Sequence, residues 1–233
     1  MINQPRSRRA LAFAAALGTA LALVPASVSS AEPAASAARG AAAYVPVGPA
    51  EMPEPPEVAE IRAELEQLAV AEPHDMEGYS RARFPHWVDQ GERCDTREVV
   101  LQRDGENVVQ DDMCRATSGS WVSRYDGRTL NAASQVDIDH MVPLANAWRS
   151  GADEWTTAQR RRFANDLTNS QLIAVSAASN RSKADKGPDA WKPPSVDYWC
   201  TYSRAWVSVK YLYKLNITAR EGRELNRMLN TCD

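Results

Sequence analysis

The period of apolar and polar positions changes several times along the chain. Ala10 to Val24 is an apolar run behind Arg6, Arg8 and Arg9, and the small residues Ser29-Ser30-Ala31 follow it. That layout reads residues 1–31 as a cleaved export signal, because the run falls short of the ~20 apolar residues a membrane span needs. From Glu32 to about Pro56 the chain is rich in Ala and Pro without periodicity and is read as a tether. Val58, Ile61, Leu65 and Leu68 then recur at helical spacing between Pro55-Pro56 and Pro73, which predicts a short amphipathic helix inside a linker spanning 32–77. Pattern alone leaves open whether that helix packs on the body.

The body is expected over 78–233. Glu98 to Leu101 and Asn107 to Val109 are β-prone runs around Asp104-Gly105 and read as a hairpin. Ser120 to Tyr125, closed by Asp126-Gly127, reads as another strand and turn, and Val136 to Met141 as a strand stopped by Pro143. Leu144 to Arg149 and Thr157 to Leu167 read as helices, the second capped by Thr156 or Thr157, followed by a short strand at Leu172 to Val175 and a helix at Ser179 to Lys186. Val196 to Leu215 carries aromatic residues near helical spacing, and Thr218-Ala219-Arg220-Glu221 fits a capping box that opens a last helix to Leu229.

With 44% hydrophobic and 24% charged residues, the composition is that of a globular protein and excludes collagen-like and fully disordered chains. The formal net charge of −3 conceals a division. Residues 51–77 hold nine acids and one base, whereas 78–233 hold 22 bases and 20 acids, so the body leaves a polyanionic substrate open. The contrast also permits the acidic segment to cover an active face. Cys94, Cys114, Cys200 and Cys232 make an even count without a CxxC pair, which points to disulfides in an oxidising compartment rather than a zinc ribbon. Their order favours Cys94 with Cys114 and Cys200 with Cys232.

Candidate chemistry concentrates in Asp137-Ile138-Asp139-His140, two carboxylates and an imidazole at the end of an apolar strand. Burying them is costly unless they are paired, hydrogen-bonded or metal-bound. Ser179-Asn180-Arg181-Ser182-Lys183 adds a neutral oxygen and, one turn later, a cation. Taken alone, a DxDH strand reads more readily as a surface strand whose Asp residues make turns or salt bridges and whose histidine is exposed. Trp191 and Trp199 are read as core or lid, Asn165 as a cap, and His86 in Phe84-Pro85-His86-Trp87 as structural.

DIDHMVPLANAW, FANDL, LIAVS and SNRSKADKGPDAWKPP, with FPHW and CDTREVVL ahead of them, resemble the secreted HNH endonucleases related to the C-terminal domain of GmrSD-type restriction nucleases. The resemblance covers roughly Tyr79 to Cys232. It implies an α+β fold with a ββα-metal (His-Me finger, HNH) core, inserted and flanking helices, and short N-terminal strands. It further implies His140 as general base and one divalent ion, Mg²⁺ with Mn²⁺ or Ca²⁺ as alternatives, on Asp139 and Asn180. Asp137 is a further ligand candidate. Lys183 stands where older HNH patterns place a histidine and is expected at the phosphate, with Arg97 as a second phosphate contact. Arg181, Lys186 and Lys192 are expected along the nucleic-acid backbone.

The expectation is therefore a secreted, monomeric endonuclease, without stable membrane association after signal cleavage, acting on DNA rather than RNA and with little base readout. The reading from another class is a secreted binding module in which the DxDH strand holds a structural divalent cation. Tolerance of His140→Ala separates the two.

Overall fold

The structure, a computed structural model, describes residues 51–232, so the expected leader and the tether up to residue 50 lie outside the described residues. The fold is α+β. The elements run α1 (Val58–Gln67), β1 (Asp89–Gly91), β2 (Cys94–Asp95), α2 (Thr96–Asp104), β3 (Gly105–Gln110), β4 (Ala116–Val122), β5 (Thr129–Leu130), β6 (Val136–His140), α3 (Leu144–Trp148), α4 (Thr157–Ala164), β7 (Leu172–Ser176), α5 (Ala177–Lys183), α6 (Trp199–Leu212) and α7 (Ala219–Leu229). The strands form three small sheets, β1-β2, β3-β4-β5 and β6-β7.

Glu98 to Leu101 corrects the sequence reading, for it lies in helix α2 rather than in a hairpin strand. Asp95 and Glu98 form a reciprocal capping box, the Asp95 side chain accepting from the Glu98 amide and the Glu98 side chain from the Asp95 amide, each at 2.9 Å. That cap outweighs the β preference of Val99-Val100, while helical spacing buries Thr96, Val100 and Leu101 together. The hairpin instead joins β3 to β4, and Cys94–Cys114 ties its loop to β2. The predicted caps at Thr156 and Thr218 are both capping boxes, and Cys200 pairs with Cys232.

Helix α6 runs through the main core, with Tyr202, Ala205, Trp206, Val207 and Val209 all fully buried. Residues 51–77, expected as linker, lay Met52, Ile61, Leu65 and Leu68 into that core. The Arg204 guanidinium fastens the approach to α1 by donating to the carbonyls of Pro55 and Pro56. Burial of four apolar side chains, each worth roughly 1.5–3 kcal/mol, explains why an otherwise acidic helix docks.

The β6-β7 pair is antiparallel, with Asp139 opposite Ile173 and His140 opposite Leu172. It is buried on both faces. Val136, Ile138, Leu172 and Ala174 join a second cluster with Val100, Leu101 and Trp121, while Ile173 and Val175 join the main core. By strand alternation Asp137 and Asp139 fall on the face that meets α5, the helix that leaves β7 directly through the Ser176 cap.

Candidate active site

Where β6 ends, Asp139, His140, Asn180 and Arg181 line one cavity of about 340 Å³ together with Tyr79, Arg81, Pro143 and Asp185. No residue of the acidic stretch 51–77 lines it, so that stretch does not cover this opening. Among the described residues no helix is long and apolar enough to cross a membrane.

Asp139 is 5% exposed, and its Oδ2 accepts from Lys183 Nζ at 2.6 Å and from the Tyr125 hydroxyl at 2.7 Å. Lys183 is completely buried and also donates to the His140 carbonyl at 2.8 Å. Burial pushes the Asp139 carboxyl up and the Lys183 ammonium down, and the pair opposes both shifts. Lys183 therefore does not reach out to a phosphate as expected; it holds Asp139 against the strand end. Asp139 Oδ1 has no hydrogen-bond donor among the described residues, so a residue that lines the cavity keeps one carboxylate oxygen unspent.

Tyr125, which sequence reasoning placed at a strand end, sits in the turn after β4. The Gly127 amide closes this turn on the Ser123 carbonyl at 2.8 Å, and Gly127 takes φ +69°, a conformation that costs glycine little. The turn drops the Tyr125 ring into the core, where burial and the neighbouring Asp139 charge raise its hydroxyl well above the usual tyrosine range. It is a permanent donor. No local pattern distinguishes it from any other aromatic turn residue.

His140 is 4% exposed. Its Nε2 lies 2.9 Å from the Ala164 carbonyl at the end of α4, and its ring stacks on Trp87 with centroids 5.6 Å apart. A carbonyl only accepts, so Nε2 carries the proton and Nδ1 keeps its lone pair. Burial pushes the imidazole down to about 3, so the ring is neutral across the pH range in which proteins work. FANDL thus does more than cap: Ala164 orients the histidine, and Asn165 Nδ2 and Oδ1 bind Pro85 O and Val88 N on the segment that carries Trp87.

Asn180 Nδ2 donates to Asp137 Oδ2 at 3.1 Å. Because a carboxylate only accepts, this fixes the amide orientation and leaves Asn180 Oδ1 available. Asp137 is not among the cavity residues and turns its carboxylate to Asn180 instead. Of the other expected contacts, Arg181 lines the cavity and is exposed. Arg97 corrects the reading, because its guanidinium binds the carbonyls of Ala133 and Val136 before and at the start of β6, away from His140. Lys186 folds back on the Ser182 carbonyl, and Lys192 pairs with Glu224 over the Trp199 ring. Trp191 and Trp199 pack against the core.

Residues 97–228, more than half the chain, match the family model described as GmrSD restriction endonucleases, C-terminal domain. The chain belongs to this family. A relative of this GmrSD C-terminal-domain protein, described as an uncharacterized secreted protein of Arthroderma benhamiae, is 54% identical over 187 residues, covering 79% of this chain and 92% of the relative. No solved structure matches the chain.

Restriction-endonuclease relatives commonly work with a divalent cation, and the donor set can be tested against one. Among the described residues no three His, Cys, Asp or Glu side chains converge as a metal cage. The cavity is lined instead by Asp139 and Asn180, whose Oδ1 atoms accept no hydrogen bond among the described residues. Two hard oxygens, with the remaining positions left to water, fit a hard divalent cation that keeps several waters.

Proposed function

We propose that this GmrSD-family chain is a secreted, metal-dependent endonuclease with an HNH, His-Me finger core formed by β6, β7 and α5, hydrolysing phosphodiester bonds of DNA. One observation carries the reading: His140, whose Nε2–H is tethered to Ala164 O so that Nδ1 keeps its lone pair, lines the same cavity as Asp139 and Asn180. A structural cation site has no use for an imidazole held in this way.

In the proposed reaction a water attacks phosphorus while His140 Nδ1 takes its proton, and the P–O3′ bond breaks to leave a 5′-phosphate and a 3′-oxygen that takes a proton from a second water to become the hydroxyl. Asp139 and Asn180 would hold the divalent ion, Mg²⁺ by donor chemistry, which when bound supplies Lewis-acid stabilisation of the charge developing on the phosphate and the leaving oxygen. Lys183 and Tyr125 hold the Asp139 carboxylate in one orientation, and Asp137 does the same for the Asn180 amide. Trp87 and Ala164 fix the plane and tautomer of His140. An incoming phosphate anion beside the neutral ring favours its protonated form and so raises its basicity as substrate arrives. Arg181 provides an exposed cation for the backbone, a contact that carries no base information. Secretion is supported by the two disulfides and by the description of the Arthroderma relative.

The test is plasmid nicking by the purified protein in Mg²⁺, beside EDTA and His140→Ala. Loss of nicking in both controls is the expected result. Undiminished nicking by His140→Ala, or no nicking by folded wild type with Mg²⁺, Mn²⁺ or Ca²⁺, would sink the proposal and leave a binding module.

A further inference from the structure

Two arginines among the cavity residues, Arg81 and Arg181, make no ion pair among the described residues, whereas Asp185 at the same cavity is neutralised by Arg149. They differ in how they are held. Arg181 has no hydrogen-bond partner for its guanidinium among the described residues. Arg81 Nε donates to His86 Nε2 at 3.2 Å, and His86 Nδ1 in turn donates to the Phe84 carbonyl at 2.7 Å. With Nε committed, the two terminal Nη groups of Arg81 remain as a donor pair, the half of the guanidinium fork that matches two phosphate oxygens.

The segment that carries this arginine is pinned. Asn165 Nδ2 donates to Pro85 O at 2.7 Å and Asn165 Oδ1 accepts from Val88 N at 3.1 Å, gripping the chain on both sides of His86 and Trp87. Trp87 stacks on His140, and the residue before Asn165 supplies the carbonyl that orients His140. The end of α4 thus anchors both the imidazole and the segment whose His86 holds the arginine. Arg81 and His140 line the same cavity, so the guanidinium and the imidazole face one space. A cation fixed this way costs little reorganisation when charge develops beside it.

We infer that Arg81 is a catalytic residue that contacts the scissile phosphate in the transition state, and that His86 is the positioning residue that aims it. This rests on the nuclease reading above and gives a role to Arg81, which the sequence reading did not single out, and to His86, which it read as structural. Arg181, exposed and untethered, then serves ground-state binding.

The experiment is steady-state cleavage of a defined DNA duplex in Mg²⁺ by the full chain, with affinities for the same duplex measured in the His140→Ala background. Arg81→Ala is expected to lower kcat about 100-fold, the scale of losing one preorganised donor to developing charge, with Kd moved less than about threefold. Arg81→Lys, which keeps the charge but loses the fork and the His86 bond, recovers only part of the loss. His86→Ala lowers kcat by about 10-fold alone and adds nothing in the Arg81→Ala background, the non-additivity of residues that act as one unit. Because Arg81 and His86 lie at the surface of the pinned segment, thermal unfolding is expected to be unchanged in both single variants. A kcat within threefold of wild type for Arg81→Ala, or a loss confined to Kd, overturns this inference while an active wild type and a dead His140→Ala keep the nuclease reading. A wild type that cleaves nothing overturns both.

Discussion

Two fully buried lysines, Lys183 and Lys210, lie about the same Trp206 ring, each ammonium 5.8 Å from its centroid, and each is paired with a buried carboxylate. Their partners differ. Glu221 is consumed: Oε1 accepts from the Trp206 indole at 2.6 Å and faces Lys210 at 3.2 Å, while Oε2 accepts from the Thr218 amide at 3.4 Å in the α7 cap. Lys210 spends its other protons on Ser150 Oγ and the Asn216 carbonyl. Asp139, which lines a cavity, is held on one oxygen only, by Lys183 and Tyr125, and its other oxygen is unspent. The same pair of charges is a closed structural staple in one place and half of an open site in the other. Burial of an ion pair is therefore no guide to role; an unspent acceptor is.

The largest effect that would break this contrast is on catalysis. Lys183→Met should leave Asp139 free to turn and reduce cleavage by about 100-fold or more, the scale of misplacing a reacting group by an ångström. Lys210→Met should leave cleavage within a fewfold, read by single-turnover assays at a temperature where both variants remain folded. Equal activities would show the two pairs to be equivalent. Stability is the next largest effect, and here the two variants should agree: each leaves a buried carboxylate without its cation, at about 3–5 kcal/mol by chemical denaturation. The second substitution sharpens the difference. Lys210→Met with Glu221→Gln, which keeps an acceptor for the Trp206 indole, should regain most of the lost stability and full activity. Lys183→Met with Asp139→Asn should regain stability and no activity.

Much of the scaffold was legible in the sequence because its signals are local. The caps at Thr156 and Thr218, the turn at Asp126-Gly127, the strands either side of the Leu144 to Asn169 excursion and both disulfides follow from spacing within a few residues or from order along the chain. Glu98 to Leu101 misled because β-branched Val99-Val100 ahead of the Asp104-Gly105 turn carried the reading, which passed over the Asp95 and Glu98 capping box that decides the fold. The residues that meet at the cavity, Asp139, His140 and Asn180, were legible in the sequence, and their supports were not. Tyr125, Ala164 and Trp87 reach Asp139 and His140 from 14, 24 and 53 positions away in the chain, and one of them acts through a backbone carbonyl that any residue would supply. Lys183 was visible as a cation one turn after Asn180, but only its complete burial shows that it faces the carboxylate instead of the solvent.

The smallest effect lies where the open site meets its own fold. Asp126 Oδ2 accepts from Ser176 Oγ at 2.6 Å and Ser179 Oγ at 2.8 Å, and Ser176 Oγ accepts from the Ser179 amide as the cap of α5. One partly exposed carboxylate thus fastens the helix bearing Asn180 and Lys183 to the turn bearing Tyr125. Partial burial raises the Asp126 carboxyl, but the hydroxyl donors outweigh it and hold the group below its usual value. A group whose folded value is depressed gives stability that is complete above the unfolded carboxylate value of 3.8 and is lost as pH falls through the lower folded value. Asp126→Asn should therefore cost about 1 kcal/mol at neutral pH, the scale of one or two hydrogen bonds to a partly solvated acceptor. The gap to wild type in urea midpoint should close as the pH drops below 3.8. A gap that stays constant into that acid range would mean the carboxylate charge contributes nothing to the clasp. A gap confined to the acid side would reverse the assigned sign.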